Sequence, residues 1–451
     1  MQNHNLTEAP IKNLIRKIAT PVVIGFFFNT MFNVVDTYFG GQISTQALAA
    51  LSLSFPVFFL IVIFDAGIST GTTALLANII GEQDMPKVKR YVGQVLSFGI
   101  LISILLTILG LILAPSIFKL LGADGEYLAI ALSYMNIIFW GSVFFMMISV
   151  TNSILQATGN TAPYRNFLIG GFLLNCILDP WFLYGGLGLP AMGFQGLAWA
   201  TIAIQGIGCV YIFYHAVQTG YITKETFKHM VPEWGAVKEI LSQSVPASIN
   251  LVTIGVGIFI ITYFISIFGQ DAVAAYGIAT RIEQISLLPT IGITIAALSI
   301  IGQNNGAKKY NRIQETYRLC IQYGVIAMAI GAVLLLFLRR PLMSLFTDNE
   351  NVVTIGSHYL LFACFIFIAY ALLFVSVSAL QGIKRPMYAI WIGLYRQILA
   401  PFLVFYVCIE VLNWGINAIW WGILGVTWSA AIVTVVYAQT VLRNLTQEVR
   451  N

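Results

Sequence analysis

Charged residues are scarce in this chain of 451 residues, where Asp, Glu, Lys and Arg together make up 9%. A soluble domain carries about 25% charged residues, so a surface that faces water everywhere is excluded. Cysteine is also scarce: five cysteines lie inside apolar segments, without a CxxC pair, which favours small core residues over a metal or redox site. The sequence has no phosphate-binding loop, metal cluster or nucleophile triad. We therefore expect no catalysis, no catalytic residue and no cofactor.

Apolar residues are abundant instead, at 58% of the chain. A membrane-spanning helix needs roughly 20 mainly apolar residues. Twelve segments of that kind are present, at about 13–39, 48–79, 90–114, 127–155, 163–184, 191–217, 240–268, 273–303, 316–338, 351–380, 386–410 and 416–443. The first is too long for a signal peptide and has no cleavage site after it, so we interpret it as a transmembrane helix. The sequence predicts an all-α integral membrane protein.

Lysine and arginine are divided unevenly between the loops. If both termini are cytoplasmic, 18 of these residues lie on the cytoplasmic side, and only Lys119, Arg339 and Arg340 lie outside. This bias predicts cytoplasmic termini, and its spread over separate loops predicts no nucleic-acid partner. Arg281 and Arg396 lie within spans. Arg396 could supply a fixed positive charge, but we favour a side chain that reaches the cytoplasmic interface.

The chain repeats itself at a spacing of 225 residues. The matched pairs are Pro21 and Pro246, Tyr38 and Tyr263, and Tyr134 and Tyr359. We predict an N-terminal six-helix lobe at 1–217, a cytoplasmic linker at 218–239 and a C-terminal six-helix lobe at 240–451. An even number of helices per lobe gives both the same orientation, related by a pseudo-twofold axis along the membrane normal, with a substrate cleft between them. Asp36 falls on Ile261, so this acid occurs in one copy only.

Four acids lie within the predicted spans: Asp36, Asp65, Asp179 and Glu283. Each costs roughly 2.5–3.5 kcal/mol at the bilayer centre, so we expect them to be functional. Asp36 shares a helix face with Asn33, and Asp179 shares one with Asn175, four residues earlier. Pro180 disfavours helical geometry at Asp179 and frees a carbonyl nearby. The alternative is that these acids only hydrogen-bond neighbouring helices.

Further polar residues could line a pocket. Tyr134 and Asn152, in the fourth span, complete the acidic cluster or serve helix–helix hydrogen bonds. Asp65 could attract cationic drugs, or it belongs to a packed polar face. Glu283 could line the central cleft. Arg281 lies two residues before Glu283 and need not pair with it.

The motifs and their order resemble the MATE family (multidrug and toxic compound extrusion) over almost the whole chain. The segments that carry the resemblance are VVDTYFGG around Asp36, LQATGNTAPY at Leu155–Tyr164, LLNCILDPWFLYG around Asp179, MGFQGLAWA ending at Ala200, and ATRIEQISLLPTIGI at Ala279–Ile293. The resemblance implies the MATE fold and an antiporter. Such an antiporter exchanges inward-moving H+ or Na+ for outward-moving amphipathic, often cationic compounds. It also points to Pro21 as a hinge of the first helix.

One branch of that family, the DinF-like branch, carries an Asp, an Asn–Asp pair four residues apart and a Thr in the first, fifth and sixth helices. The matching residues here are Asp36, Asn175, Asp179 and Thr201. NorM-like members carry acids in the seventh and tenth helices, and this chain has none there. The resemblance thus implies cation binding at the first set. Thr201 could equally donate to its own helix backbone. We favour H+ as the coupling ion because no third acid is predicted to join Asp36 and Asp179. Na+ bound by the same residues is the alternative.

We hypothesise alternating access, in which protonation of the cluster lets the first helix repack around Pro21 and expel the substrate. A lipid-linked oligosaccharide flippase of the same superfamily is disfavoured, because the spans hold four acids and only two arginines. A non-transporting membrane receptor is disfavoured by the acidic cluster and the intact repeat. We expect a monomer in the bacterial inner membrane, with lipids and small-molecule drugs as its partners.

Overall fold

The computed structural model describes residues 6–43, 45–186, 188–412 and 414–447, and this part of the chain is mostly helical. In lipid every backbone polar group must be bonded internally, which a helix achieves within one segment. The helices of the first half are α1 (Ile11–Ile43), α2 (Thr45–Gly81), α3 (Met85–Leu120), α4 (Gly125–Trp140), α5 (Ser142–Ala157), α6 (Ala162–Tyr184), α7 (Phe194–Val217) and the short α8 (Lys224–Lys228).

The second half continues in the same order. Its helices are α9 (Trp234–Ser266), α10 (Gln270–Ser286), α11 (Leu288–Gly306), α12 (Tyr310–Ser344), α13 (Glu350–Gly382), α14 (Met387–Leu394), α15 (Ala400–Tyr406) and α16 (Asn417–Gln447). Two π-helical turns, Tyr395–Leu399 and Val407–Val411, follow α14 and α15. A π turn inserts one extra residue per turn and often marks a functional site.

The twelve predicted spans correspond to ten long apolar segments and two bent helix pairs in the described chain. The pair α4–α5 bends by 42° and the pair α10–α11 by 46°. The sequence did not predict these bends, because apolar residues continue through both. At the first, a side chain on Gly141 would collide with Ile202 of α7. At the second, Pro289 has no backbone N–H and starts a new helix.

The described chain forms two compact units. One contains Ile24–Ser244, and the other joins residues 6–23 to the described chain from Val245 onward. Both α1 and α9 therefore change units within three residues of a proline, Pro21 or Pro246. The lobes predicted at 1–217 and 240–451 follow the sequence repeat instead, and their boundaries remain a prediction.

In the first unit, the predicted linker is anchored to α3. The side-chain amide of Gln94 donates to the carbonyl oxygens of His229 and Val231 at 2.6 and 2.7 Å, and its oxygen accepts from the backbone N–H of Glu233 at 2.8 Å. A Cβ on Gly93 would lie 2.5 Å from the carbonyl oxygen of Thr226, so only glycine permits this approach. The linker is therefore an ordered part of the first unit.

Two ion pairs flank that anchor at the surface. Lys89 Nζ lies 2.6 Å from Glu225 Oε2, and Arg90 pairs with Glu233. The hydrogen bond and positive charge of Lys89 lower the pKa of Glu225, and Arg90 lowers the pKa of Glu233 in the same way. Exposed pairs of this kind contribute little energy singly. The three hydrogen bonds of the buried Gln94 side chain therefore contribute more than these ion pairs to holding the linker against α3.

In the second unit, the segment before α1 is anchored in a similar way. Arg312 of α12 donates to the carbonyl oxygens of Leu6 and Ala9 at 3.2 and 2.7 Å, and the Asn304 amide donates to Leu6 at 3.1 Å. In both units, the residues leading into the first helix of a repeat are thus bound to one end of a third span, α3 or α12.

Candidate functional site

Asp36 on α1 and Asn175 on α6 meet in the first unit. The side-chain amide of Asn175 donates to Asp36 Oδ1 at 2.8 Å. Asn175 is fully buried, whereas Asp36 is half-buried. The sequence placed these residues 139 positions apart, and the fold joins them.

Asp179 lies one helical turn beyond Asn175 on the same face and is also fully buried. Its carboxyl lies close enough to the Asp36 carboxyl and the Asn175 amide to interact with both, yet neither Asp179 oxygen makes a hydrogen bond of normal geometry in the described chain. Asn175 Oδ1 is likewise buried without a donor. Leaving ionised oxygens buried and unpaired is costly. The three oxygens therefore suit a proton or a small cation.

Pro180 does not interrupt the helix, because α6 continues from Ala162 to Tyr184. The bias against helical geometry that Pro180 places on Asp179 is therefore not realised in the fold. The preference of a residue before proline is a bias, which the packing of α6 against α7 overrides. Because Pro180 has no N–H, the carbonyl of Cys176, four residues earlier, still lacks its helical donor. That carbonyl lies one turn from Asp179.

Tyr134 on α4 lies near this pair of acids. It interacts electrostatically with both Asp36 and Asp179, and its ring packs on Phe194 with centroids 5.2 Å apart. Thr201 on α7 is buried, and its hydroxyl donates to the carbonyl oxygen of Leu197 at 3.0 Å. Tyr134 therefore lies close to both acids. Thr201 makes the hydrogen bond to its own helix backbone that was expected from the sequence as the alternative to cation binding.

Asn33 and Asn152, two other predicted pocket residues, take no part in the hydrogen bond between Asp36 and Asn175. Asn33 is exposed and donates to the backbone of Asn29 at 3.0 Å. Asn152 on α5 is buried, and its side-chain oxygen has no partner in the described chain.

Asp65 on α2 is a separate acid in the first unit. Its Oδ1 is buried without a partner among the described residues. Ser149 donates to its backbone carbonyl at 3.0 Å, and Tyr164 lies within electrostatic range.

The second unit holds a buried acid of its own. Glu283 on α10 is only 6% exposed and accepts a hydrogen bond from the Tyr359 hydroxyl at 2.6 Å. Arg396 is also buried, with its guanidinium 5.4 Å above the ring of Tyr370 and 5.7 Å above that of Phe374. The prediction that Arg396 reaches the interface is wrong, because aromatic faces and the charge of Glu283 attract the guanidinium inward.

Tyr359 and Tyr370 were not predicted from the sequence as site residues. A signal was present for Tyr359, since it matches Tyr134 at the repeat spacing of 225. Tyr134 lies beside Asp179 in the first unit, and Tyr359 lies beside Glu283 in the second.

Two repeats of membrane-spanning helices with buried carboxyls within the spans are the architecture of a membrane transporter. The chain belongs to the MatE family: the family model matches it twice, at residues 21–181 and 246–407. The two matches begin at Pro21 and Pro246 and so follow the repeat. Members of this family are transporters and not enzymes.

Similar proteins agree with this assignment. The chain is 27% identical to a FAD transporter of Shewanella oneidensis over 88% of each chain. It is also 27% identical to a probable multidrug resistance protein NorM of Thermotoga maritima, over 77% of this chain and 75% of the relative.

A structure described as the outward-facing conformation of a multidrug resistance MATE family transporter matches with a TM-score of 0.91 and 23% identity over 99% of both chains. A structure described as MATE in the bent conformation matches with a TM-score of 0.92 and 23% identity over 100% of both. At this identity the likeness shows the fold, which is the MATE fold that the sequence predicted.

Proposed function

We propose that the protein is a proton-coupled multidrug antiporter that exports amphipathic, often cationic compounds by alternating access. The observation that carries the proposal is the arrangement of Asp36, Asn175 and Asp179. One carboxyl is held by an amide, while the other is buried with both oxygens unpaired in the described chain. A proton on this cluster would relieve the cost of burying two nearby negative charges.

Several features favour H+ over Na+. Among the described residues, no third acid, histidine or cysteine joins Asp36 and Asp179 to form a metal-binding group. A dehydrated Na+ would have to gather Asp179, Asn175 and Thr201 oxygens at once, whereas a proton needs a single oxygen. The residue set follows the DinF-like pattern, and we assign the chain to that branch.

The first helix links this cluster to a conformational change. Asp36 and Pro21 lie on the same continuous helix, α1, and Pro21 removes one helical hydrogen bond. External protonation neutralises the cluster, α1 repacks about Pro21, and the drug leaves outward. Inward movement of one charge supplies about 2.3 kcal/mol per 100 mV, or roughly a fortyfold concentration of a neutral substrate.

Two substrate classes have specific support. Relatives named multidrug resistance proteins, the half-buried acid Asp65 and the buried acid Asp179 favour amphipathic cations. The relative named FAD transporter, together with the buried guanidinium of Arg396, favours an anionic dinucleotide as a second candidate. We expect a monomeric, multi-pass protein of the bacterial inner membrane with both termini cytoplasmic.

Proteoliposomes test the coupling ion. The purified protein is reconstituted with a fluorescent cationic dye, and either a pH gradient or a Na+ gradient is imposed at zero membrane potential. We expect the pH gradient alone to drive dye movement, and FAD to compete if it shares the pathway. Dye movement that ignores the pH gradient but follows Na+ would refute proton coupling.

A further inference from the structure

Glu283 is the acid that the proposed coupling cluster does not use. Its Oε2 accepts from Tyr359 at 2.6 Å, whereas its buried Oε1 makes no hydrogen bond of normal geometry among the described residues, although the Tyr370 hydroxyl lies close enough to interact with the carboxyl. A buried carboxylate with one unpaired oxygen is costly, and it is relieved by a proton or a cation. The acid is more than nine-tenths buried, so bulk water does not pair that oxygen.

The surroundings of Glu283 favour a proton. Tyr276 on the same helix, Tyr359 and Tyr370 on α13, and Arg396 on the π turn Tyr395–Leu399 all interact with it electrostatically. The positive charge of Arg396 repels a second metal or organic cation. A proton needs no coordination shell, and tyrosine hydroxyls can either donate or accept.

We propose that Glu283 is a second proton-binding site, in the second unit, and that the protein exchanges two protons for each substrate. The inference extends the proposed proton coupling to a residue outside the Asp36 cluster and rests on it. The proton binds Glu283 Oε1 and neutralises the carboxylate, while Oε2 keeps the hydrogen bond from Tyr359. The attraction that holds Arg396 towards Glu283 is then lost.

Two features give this event a structural consequence. Arg396 lies on a π turn, where the helical bonding is already displaced by one residue and can shift. Trp420 is fully buried, packs its ring 4.9 Å from that of Tyr359, and has an indole N–H without an acceptor in the described chain. The unpaired indole N–H of Trp420 and the unpaired Oε1 of Glu283 allow this cluster to adopt a second hydrogen-bonding arrangement.

The repeat supports the same assignment. Tyr134 lies beside Asp36 and Asp179 in one unit, and its repeat partner Tyr359 binds Glu283 in the other. Glu283 lies on α10, whereas Asp36 lies on α1, whose repeat counterpart is α9. Alignment of the repeats therefore places Ile261 of α9, and not Glu283, opposite Asp36.

The stoichiometry at equilibrium tests the proposal. In proteoliposomes with the membrane potential held at zero, the substrate concentration ratio changes about tenfold per pH unit for each exchanged proton. We expect about a hundredfold per pH unit for the wild type and for the surface control Glu315→Gln, but about tenfold for Glu283→Gln. An unchanged slope in Glu283→Gln overturns the second site. A wild-type ratio that does not respond to pH overturns the proposed function itself.

A spectroscopic measurement tests the proposal even if Glu283→Gln folds but does not transport. Infrared difference spectra of the detergent-solubilised protein, between alkaline and acidic buffer, record the C=O stretch of each protonated carboxyl. We expect a band from a buried acid that is absent in Glu283→Gln, retained in Asp36→Asn, and shifted in Tyr359→Phe because the hydrogen bond to Oε2 is lost. The same set of bands in Glu283→Gln as in the wild type would show that Glu283 takes up no proton.

Discussion

The amide of Asn175 and the carboxylate of Asp36 are joined by a hydrogen bond of 2.8 Å between α6 and α1. The bond links the helix that contains Pro21 to the helix that carries Asp179, the acid with two unpaired oxygens. A change of charge at either carboxyl therefore acts directly on the packing of α1 against α6.

Replacing Asn175 by leucine should uncouple that pair. A hydrogen bond to an ionised group contributes about 1.5–3 kcal/mol, so Asn175→Leu should lower pH-driven efflux about ten- to a hundredfold. Initial rates in proteoliposomes measure the effect at matched protein content. The exposed Asn351→Leu should transport at the wild-type rate, and equal rates for both variants would remove Asn175 from the mechanism.

Gly71 allows α2 and α9 to touch within the first unit. A Cβ there would lie 2.5 Å from the backbone of Ser244, so Gly71→Ala should destabilise the protein by about 1–3 kcal/mol. Gly170, also helical, has open space around its missing Cβ, and Gly170→Ala should be neutral or slightly stabilising. Thermal unfolding in detergent compares the two, and a similar melting temperature for both would contradict this packing.

Gln94 should control the order of the linker. Gln94→Leu removes two donated bonds and one accepted bond, leaving backbone groups of the linker unpaired at a cost of about 1–3 kcal/mol. We expect proteases to cut the linker faster in this variant than in the wild type. The exposed Gln284→Leu on α10 should be cut at the wild-type rate. Resistance of Gln94→Leu to cleavage would show that the linker is held elsewhere.

Acid should loosen the same linker. Because Lys89 and Arg90 lower the pKa values of Glu225 and Glu233, the ion pairs stabilise the folded linker fully above the ordinary glutamate value of 4.5. That stabilisation is lost as the pH falls below 4.5 through the lowered values. Proteolysis of the linker by an acid-active protease should therefore quicken in this range, and less so in Glu225→Gln with Glu233→Gln. Identical pH profiles would rule out these pairs.

Local patterns in the sequence predicted much of the fold. Runs of apolar residues identified the spans, and the repeat between Pro21 and Pro246 predicted two halves of one kind. The bends near Gly141 and Pro289 were not predicted. The first depends on packing against α7, and the second on a proline within an uninterrupted apolar run. Helix spacing placed Asn175 and Asp179 on one face, and the resemblance supplied Asp36 as their partner. The cluster around Glu283 could not be predicted, because its members come from α10, α13 and the π turn and meet only in the folded chain.

The central claim is that Asp36 and Asp179 exchange a proton for the substrate. It is tested most directly by adding a cationic substrate to the purified protein in weakly buffered detergent solution and following a pH indicator. We predict proton release by the wild type and by the surface control Asp124→Asn, and a clear loss of release in Asp36→Asn and Asp179→Asn, with substrate still bound. Equal release by all four proteins, or release only when Na+ is present, would contradict it.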